Sequence, residues 1–425
     1  MKYDLIVVGG GPGGLMAAKT AAEDGLKVVL IERKKNITEI TRACMQAFYI
    51  HKVTGSLEIE EGKTRADGYI DPVSAELLPD KCRLHFPVPG FSIDYDGSYV
   101  PYYNWIGLSP SGYQIHRHKP NDKIWALFYQ KEVFLAGLLA SVRKAGVEVM
   151  PETIGIRAEN IRDGVKVLVR GKSEERMLEA RKAIVADGKE SNIVESLGLN
   201  KDRKVMSPAF KIIEYEMEGV KTSLPKFSFV RFTIPSLNPF APLGIGLRAE
   251  DRVFLWTMTV GSLSPSMVLE KFMKHSNFAL WFRDARVVKK TASGGTGLRT
   301  PIKEPVAGNA VIVGDAAAPV ETWIQGAVAC GYQAVKAIEK ELNGQKGYPG
   351  YIDWWQKAFA FNDPHYWKVA GVFPLNRICT DDEVDYIYSL FHDRIGCDVG
   401  LIAKNLDLIK KERPELYEKL TKGMR

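Results

Sequence analysis

A chain of 425 residues exceeds what one hydrophobic core normally serves, so at least two packed units are expected. With 45% apolar and 26% charged residues it is neither disordered nor fibrous, and a net charge of +7 without a long basic arm points to no nucleic-acid partner. Basic residues fall in short groups, Arg33-Lys34-Lys35 and Lys410, Lys411 and Arg413. These read as solvated surface; an acidic partner protein, an anionic substrate or an anionic membrane surface are the alternatives. Cys44, Cys82, Cys330, Cys379 and Cys397 form no C-x-x-C pair, so no metal site is expected from them. No signal peptide precedes the first apolar run, and no run approaches the ~20 residues of a membrane-spanning helix, which makes a reducing cytoplasm the expected compartment.

Residues 3–8, Y-D-L-I-V-V, have the apolar, β-branched character of a parallel strand buried on both faces. Gly9-Gly10-Gly11-Pro12-Gly13-Gly14 follows at once, and the next residues are good helix formers. The spacing Gly9-x-Gly11-x-x-Gly14 thus stands between strand and helix, as a dinucleotide-binding turn requires. Gly9 allows the tight turn, Gly11 lets the backbone approach a pyrophosphate, and Gly14 lets helix and strand pack closely. A second strand at 27–31 ends in Glu32, placed to accept hydrogen bonds from a ribose, and Arg33 follows it. This unit does not distinguish NAD from FAD.

Farther along, Lys131-x-x-Phe134-x-x-x-Leu138 opens an amphipathic helix that continues through Leu139 and Val142. Residues 182–186 read as a strand entering the turn Asp187-Gly188. Two stretches, 71–119 and 206–284, interrupt this pattern. The second alternates in strand fashion at 211–217, 228–232 and 252–258, which suits an antiparallel sheet. Tyr99, Tyr102, Tyr103, Trp105, Tyr113 and Trp125 are candidates to line an apolar cavity, with plain core as the alternative. His116 and His118 flank Arg117 without a matching carboxylate or cysteine set, and read as loop rather than metal ligands. A strand at 309–313 enters Gly314-Asp315-Ala316-Ala317, and a helix through Gly326 and Gly331 follows. The remainder, 346–425, with Trp354-Trp355 and Tyr366-Trp367, is expected to form a helical cap.

These motifs in this order resemble the flavoprotein family typified by para-hydroxybenzoate hydroxylase, with its N-terminal fingerprint, A-D-G-x-x-S segment and late G-D-A-A segment. The resemblance covers roughly 1–70, 120–200 and 285–345. It implies an α/β fold in which a Rossmann-like FAD-binding domain (1–70, 120–205 and 285–345) carries an inserted antiparallel-sheet substrate domain (71–119 and 206–284). It also implies FAD as cofactor, Asp315 on its ribityl chain, and the helix start at Gln325-Gly326-Ala327-Val328 directed at the flavin ring. Arg42 and the pair Gln130 and Lys131 fall where the family places residues near FAD, although Lys131 stands in place of an arginine. The family's arginine after the A-D-G-x-x-S serine is replaced by Val194, which argues against direct use of NADPH. Ser293-Gly294-Gly295-Thr296-Gly297-Leu298 resembles the flavin-side loop.

Within the family the likeness is greatest to the geranylgeranyl reductase and FixC-like branch. That branch has a basic residue and a cysteine near Arg42, Ala43 and Cys44, but its Y-x-W-x-F-P motif is replaced here by Pro242-Leu243-Gly244-Ile245-Gly246-Leu247, so a substrate other than a prenyl chain is expected. The implied activity is hydride exchange between FAD and a C=C bond of an apolar or aromatic small molecule, with Cys44 as candidate catalytic residue. Cys44 also reads as a packing cysteine or a flavin contact. The alternative activities are aromatic hydroxylation, or dehydrogenation linked to a quinone or a protein electron donor.

Overall fold

The computed structural model describes residues 2–50, 74–86, 89–116, 124–172, 174–249, 251–319, 322–362, 374–396 and 398–423. The chain opens on β1 (Tyr3–Val8), whose side chains are nearly all buried, followed by α1 (Pro12–Glu23) and β2 (Val28–Ile31). Pro12 at the first helical position needs no hydrogen-bond partner and starts α1 at once behind the glycine turn. After β3 (Ala47–Tyr49) come β4 (Ser74–Leu77), β5 (Cys82–Phe86) and β6 (Phe91–Tyr95), then β7 (Tyr99–Tyr102), β8 (Asn104–Leu108), β9 (Gln114–His116) and β10 (Ala126–Tyr129). Helix α2 (Lys131–Lys144) leads to β11 (Glu148–Met150), and β12 (Ile154–Ile161), β13 (Gly164–Arg170) and β14 (Glu175–Val185) form a meander that runs into the short helix α3 (Asn192–Ser196).

The main sheet runs β11-β2-β1-β14, all parallel. The long β14 serves two neighbours beyond β1. Its first half pairs antiparallel with β13, and its second half pairs parallel with β21 (Ala310–Ile312), whose antiparallel neighbour is β20 (Val306–Ala307). β1, β2, β14 and β21 all end at the same edge, so the turns after them converge there.

A second, seven-stranded sheet is assembled from distant segments: β15 (Phe210–Glu218), β16 (Ser228–Phe232), β17 (Leu243–Ala249), β18 (Arg252–Val260) and β19 (Arg286–Gly295), with β8 and β9 completing the order β19-β15-β18-β17-β16-β8-β9. One face is covered by α4 (Pro265–His275), where Tyr215, Leu255, Val268 and Phe272 pack together. Its other face meets the small sheet β3-β10-β7 in an aromatic cluster that includes Tyr102, Trp125, Phe128, Phe229 and Phe254. Helix α5 (Trp323–Leu342) crosses behind the main sheet against α1, and α6 (Tyr348–Ala358) packs on α5.

Three boundaries differ from those expected from sequence. Strands β4 to β6 pack into the core of the main sheet through Leu84, Phe86, Ile93 and Tyr95, so the first interruption is shared between the two sheets. β19 belongs to the second sheet, and Ser293-Gly294-Gly295 is therefore strand rather than loop. It is an exposed edge strand with no apolar alternation, so its sequence carries no strand period. The C-terminal stretch also divides. α6 joins the main core through Trp355, whereas helices within 374–423 form a separate core on Ile115 of β9. Tyr366 and Trp367 lie outside the described residues. Among the described residues no helix is long and apolar enough to cross a membrane.

Candidate flavin site

The turn after β1 is built by close backbone approach. Gly9 adopts φ +104°, a left-handed conformation that favours glycine. A Cβ on Gly14 would lie 1.8 Å from the Gly9 carbonyl oxygen, so helix and turn touch only because Gly14 has none. A Cβ on Gly11 would meet nothing within 4 Å, so the backbone there faces open space. Gly13 meets α5, whose Gly331 would place a Cβ 2.2 Å from the Gly13 carbonyl oxygen. The buried Glu32 carboxylate lies under this turn, accepting from the Gly10 N–H at 2.6 Å and the Lys34 N–H at 2.9 Å. Arg33 is exposed.

Beside it, Asp187 is held by the Ser191 hydroxyl at 2.9 Å, while its Oδ1 is buried with no partner among the described residues. Burial pushes its carboxyl up to about 6. An open backbone cradle at a helix N-terminus, next to an orphaned buried acceptor, fits a bound dinucleotide with hydroxyl donors.

At the other end of the site, Asp315 Oδ1 accepts from the Thr322 N–H at 2.9 Å and hydroxyl at 3.0 Å, which fixes the aspartate to the start of α5. Arg42 comes within 3.6 Å of Asp315 Oδ2, and Gly314 has φ +62°. A cleft there is lined by Pro12, Arg42, Cys44, Lys131, Asp315 and Trp323, among others. The motifs from residues 12, 42–44, 131 and 315 therefore converge on one place.

The remaining residues singled out from sequence fall around it unequally. Ala43 is buried beside the cleft and Ala327 lines it. Gly326 and Val328 are buried, Val328 within the main core. Gln130 is exposed; its backbone N–H donates to the Tyr95 hydroxyl, and it precedes α2 rather than facing the cleft. Lys131 is buried, with its ammonium 3.7 Å from Cys44 Sγ, and Cys44 is half-buried.

Several residues at the site carried no sequence motif. Gln46 adopts φ +54° and its side-chain oxygen accepts from the Lys131 N–H at 2.8 Å, capping α2. The Cys44 carbonyl accepts from Arg248 at 3.1 Å, and the same guanidinium nitrogen pairs with Glu214, both partners being buried. Arg248 lies 4.8 Å from the ring centres of both Phe128 and Phe254, so the pair is enclosed by aromatic surface. Its other nitrogens, Nε and Nη1, are buried without a partner among the described residues. Burial pushes the Glu214 carboxyl up, and Arg248 opposes that shift. The Tyr129 hydroxyl, buried close to Cys44, has no partner among the described residues and is also pushed up by burial.

Of the aromatic candidates, Tyr102, Trp105 and Trp125 stack in the cluster facing the small sheet, with Trp105 and Trp125 ring centres 4.7 Å apart. Tyr103 meets Phe227 near that cluster, and Tyr99 packs on the main core. Tyr113 does not join them. The tight turn from β8 to β9 carries it away to His392, where it is 41% exposed. His116 is buried against the C-terminal helices, 3.5 Å from Asp393; Arg117 and His118 lie outside the described residues.

A parallel sheet with a glycine turn, an acidic strand end and a late Gly-Asp pair, covered by a second antiparallel sheet, defines a flavin-dependent oxidoreductase. A profile of the family described as "FAD binding domain" matches residues 2–236, and the chain belongs to that family. It is an FAD-dependent oxidoreductase, and the relatives it resembles include enzymes named as geranylgeranyl-type reductases. The digeranylgeranylglycerophospholipid reductase of Methanocaldococcus jannaschii is 25% identical over 427 residues, covering 95% of this chain and 94% of that one. The enzyme of the same name from Methanothrix thermoacetophila is 25% identical, covering 84% of each chain. The fold is similar to that of a geranylgeranyl bacteriochlorophyll reductase-like protein from Thermoplasma acidophilum (TM-score 0.68, 17% identity, 99% of each chain). It is also similar to that of a p-nitrophenol 4-monooxygenase from Pseudomonas putida (TM-score 0.64, 14% identity, 99% of this chain and 98% of that one).

Proposed function

We propose that this flavoenzyme reduces C=C bonds of an apolar, isoprenoid-type small molecule, drawing its electrons from a protein donor. FAD would be held by Gly9, Gly11, Pro12, Gly13 and Gly14 at the pyrophosphate, by Glu32 with Arg33 at the adenosine end, and by Arg42, Gly314, Asp315 and the backbone of Gly326, Ala327 and Val328 at the ribityl and flavin end. Bound and reduced, FAD supplies hydride. The observation that carries the reading is the pair formed by Lys131 Nζ and Cys44 Sγ, 3.7 Å apart where the cofactor motifs meet the aromatic sheet.

Reduction of an alkene needs one hydride and one proton on adjacent carbons. Cys44 Sγ–H gives the proton: its S–H bond breaks as the C–H bond forms. The Lys131 ammonium stabilises the resulting thiolate and then returns a proton to it. Arg248, bonded to the Cys44 carbonyl and to Glu214, keeps this segment in place. Met45 and Ala47 line the cleft and pack on the aromatic cluster, which backs it with apolar surface. The names of the archaeal relatives support an isoprenoid substrate. Val194, in place of the family's arginine, is 1% exposed and packed in the main core, which supports a donor other than NADPH.

The test is anaerobic. Flavin reduced with dithionite is mixed with geranylgeranyl diphosphate, then oxygen is admitted. Flavin reoxidation before oxygen, with product two mass units heavier per bond, is expected. A flavin hydroperoxide and a hydroxylated product would instead identify a monooxygenase. Cys44→Ser should slow alkene-dependent reoxidation at least tenfold without changing reduction by dithionite; unchanged reoxidation rules out the proton role.

A further inference from the structure

Five described residues other than glycine adopt a left-handed backbone: Gln46, Glu152, Phe227, Trp323 and Asp393. Two of them, Gln46 and Trp323, line the one cleft that also holds Cys44, Lys131 and Asp315. For Gln46 the conformation has a structural reason. Its backbone oxygen accepts from the Tyr129 N–H at 3.0 Å while its side chain caps α2.

Trp323 is a different case. It is the first residue of α5, at φ +58°, where glycine or asparagine is the ordinary choice and a bulky side chain is strained. Its side chain is 42% exposed, whereas Ile324, Gln325, Gly326 and Val328 immediately after it are buried. The position thus combines backbone strain with a large apolar surface turned toward the cleft. Backbone strain held at a residue that lines the cleft points to function.

We propose that Trp323 is the specificity-determining wall of the substrate slot: its indole stacks on the planar, unsaturated carbons of the substrate and discriminates against the puckered saturated chain. The inference rests on the proposed alkene-reducing reading. A flat aromatic face accepts the coplanar carbons of one trisubstituted C=C bond together at van der Waals distance, whereas the same atoms in a saturated chain are staggered and touch it in part only. Cys44 and Lys131 line the same cleft, so a chain lying on the indole presents its double bond to the proton-bearing pair.

The experiment measures binding apart from turnover. FAD-loaded wild type, Trp323→Gly and Trp323→Phe proteins are titrated with geranylgeraniol and with its fully saturated counterpart, dispersed in the same detergent, and followed by flavin absorbance. Wild type is expected to bind the unsaturated alcohol about tenfold more tightly. Trp323→Gly should bind both alcohols alike and retain stoichiometric FAD. Trp323→Phe should restore part of the preference. A wild type without preference, a preference that survives in Trp323→Gly, or loss of FAD from that variant would each overturn the proposal. Failure of the wild type to reduce geranylgeranyl diphosphate, with the binding preference intact, would count against the alkene-reducing reading alone.

Discussion

The two regions that meet near the cleft are built from different materials. At the glycine turn the contacts are backbone. The turn from Gly9 to Gly14 bends under steric limits, α5 crosses it at Gly331, and the one carboxylate beneath, Glu32, accepts from two backbone N–H groups. On the sheet side the contacts are between buried side chains drawn from distant strands. Arg248 meets Glu214 across 34 residues of sequence and Cys44 across 204, between Phe128 and Phe254. A backbone site tolerates few residue types and therefore leaves a motif. A side-chain site tolerates many solutions and leaves none.

This contrast is sharpest at Gly14. Alanine there would place a Cβ 1.8 Å from the Gly9 carbonyl oxygen, with backbone on both sides that has no rotamer to give way. Gly14→Ala is expected to cost more than about 4 kcal/mol and yield little folded protein, beyond the usual cost of overpacking. A soluble variant with wild-type melting temperature would show that the turn is softer than its geometry implies.

On the sheet side, Arg248→Met leaves Glu214 buried and ionisable with no counter-charge. Removing one member of a buried pair costs about 3–5 kcal/mol, which urea denaturation would read directly. The double variant Arg248→Met with Glu214→Leu should recover most of the loss, because the aromatic surroundings then enclose only apolar atoms. Were the double variant no better than the single, the guanidinium contact with the Cys44 carbonyl would be the larger contribution.

Asp187 stands between the two kinds of surface, as a side chain orphaned beside a backbone cradle. Its folded-state value, raised by burial to about 6, lies above the ordinary carboxylate value, so the folded FAD-free protein holds this proton more tightly than the unfolded chain. Stability from this group is therefore full below about pH 4 and is lost as pH rises through 6, on the order of 2–3 kcal/mol in all. Asp187→Asn should remove that decline, giving an FAD-free protein whose melting temperature is higher than wild type at pH 7 and similar at pH 4. Parallel pH profiles for the two proteins would mean that Asp187 is hydrated when FAD is absent.

How far the sequence could be read follows the same division. β1, β2, α1 and the two late motifs were legible because parallel strands buried on both faces are uniformly apolar, and because each turn between them needs glycine or an acidic residue. Convergence of Arg42, Cys44, Lys131 and Asp315 on one cleft was legible only through family likeness, since nothing local marks them. β19 was missed because an exposed edge strand has no apolar period, and Tyr113 was misplaced because a tight turn reversed its direction. Glu214, Arg248 and Trp323 left no trace: a cross-strand ion pair and a left-handed tryptophan depend on register and on φ, which single-residue patterns do not encode.

The smallest expected effect is the most discriminating. Gly11 has an ordinary φ of −77°, and a Cβ there would meet nothing within 4 Å, so alanine is sterically free in the protein alone. Two minor contributions oppose each other: alanine lowers the entropy of the unfolded chain, and it is a poorer helix N-cap than glycine. The FAD-free melting temperature of Gly11→Ala should therefore match wild type within about 1 °C, corresponding to a few tenths of a kcal/mol. FAD affinity should nevertheless fall about tenfold or more, because the added methyl occupies the space into which the helix N-terminus presents its N–H groups to phosphate. Equal FAD affinity in the two proteins would place the pyrophosphate elsewhere, and with it the claim that this side of the cleft recognises its ligand through bare backbone.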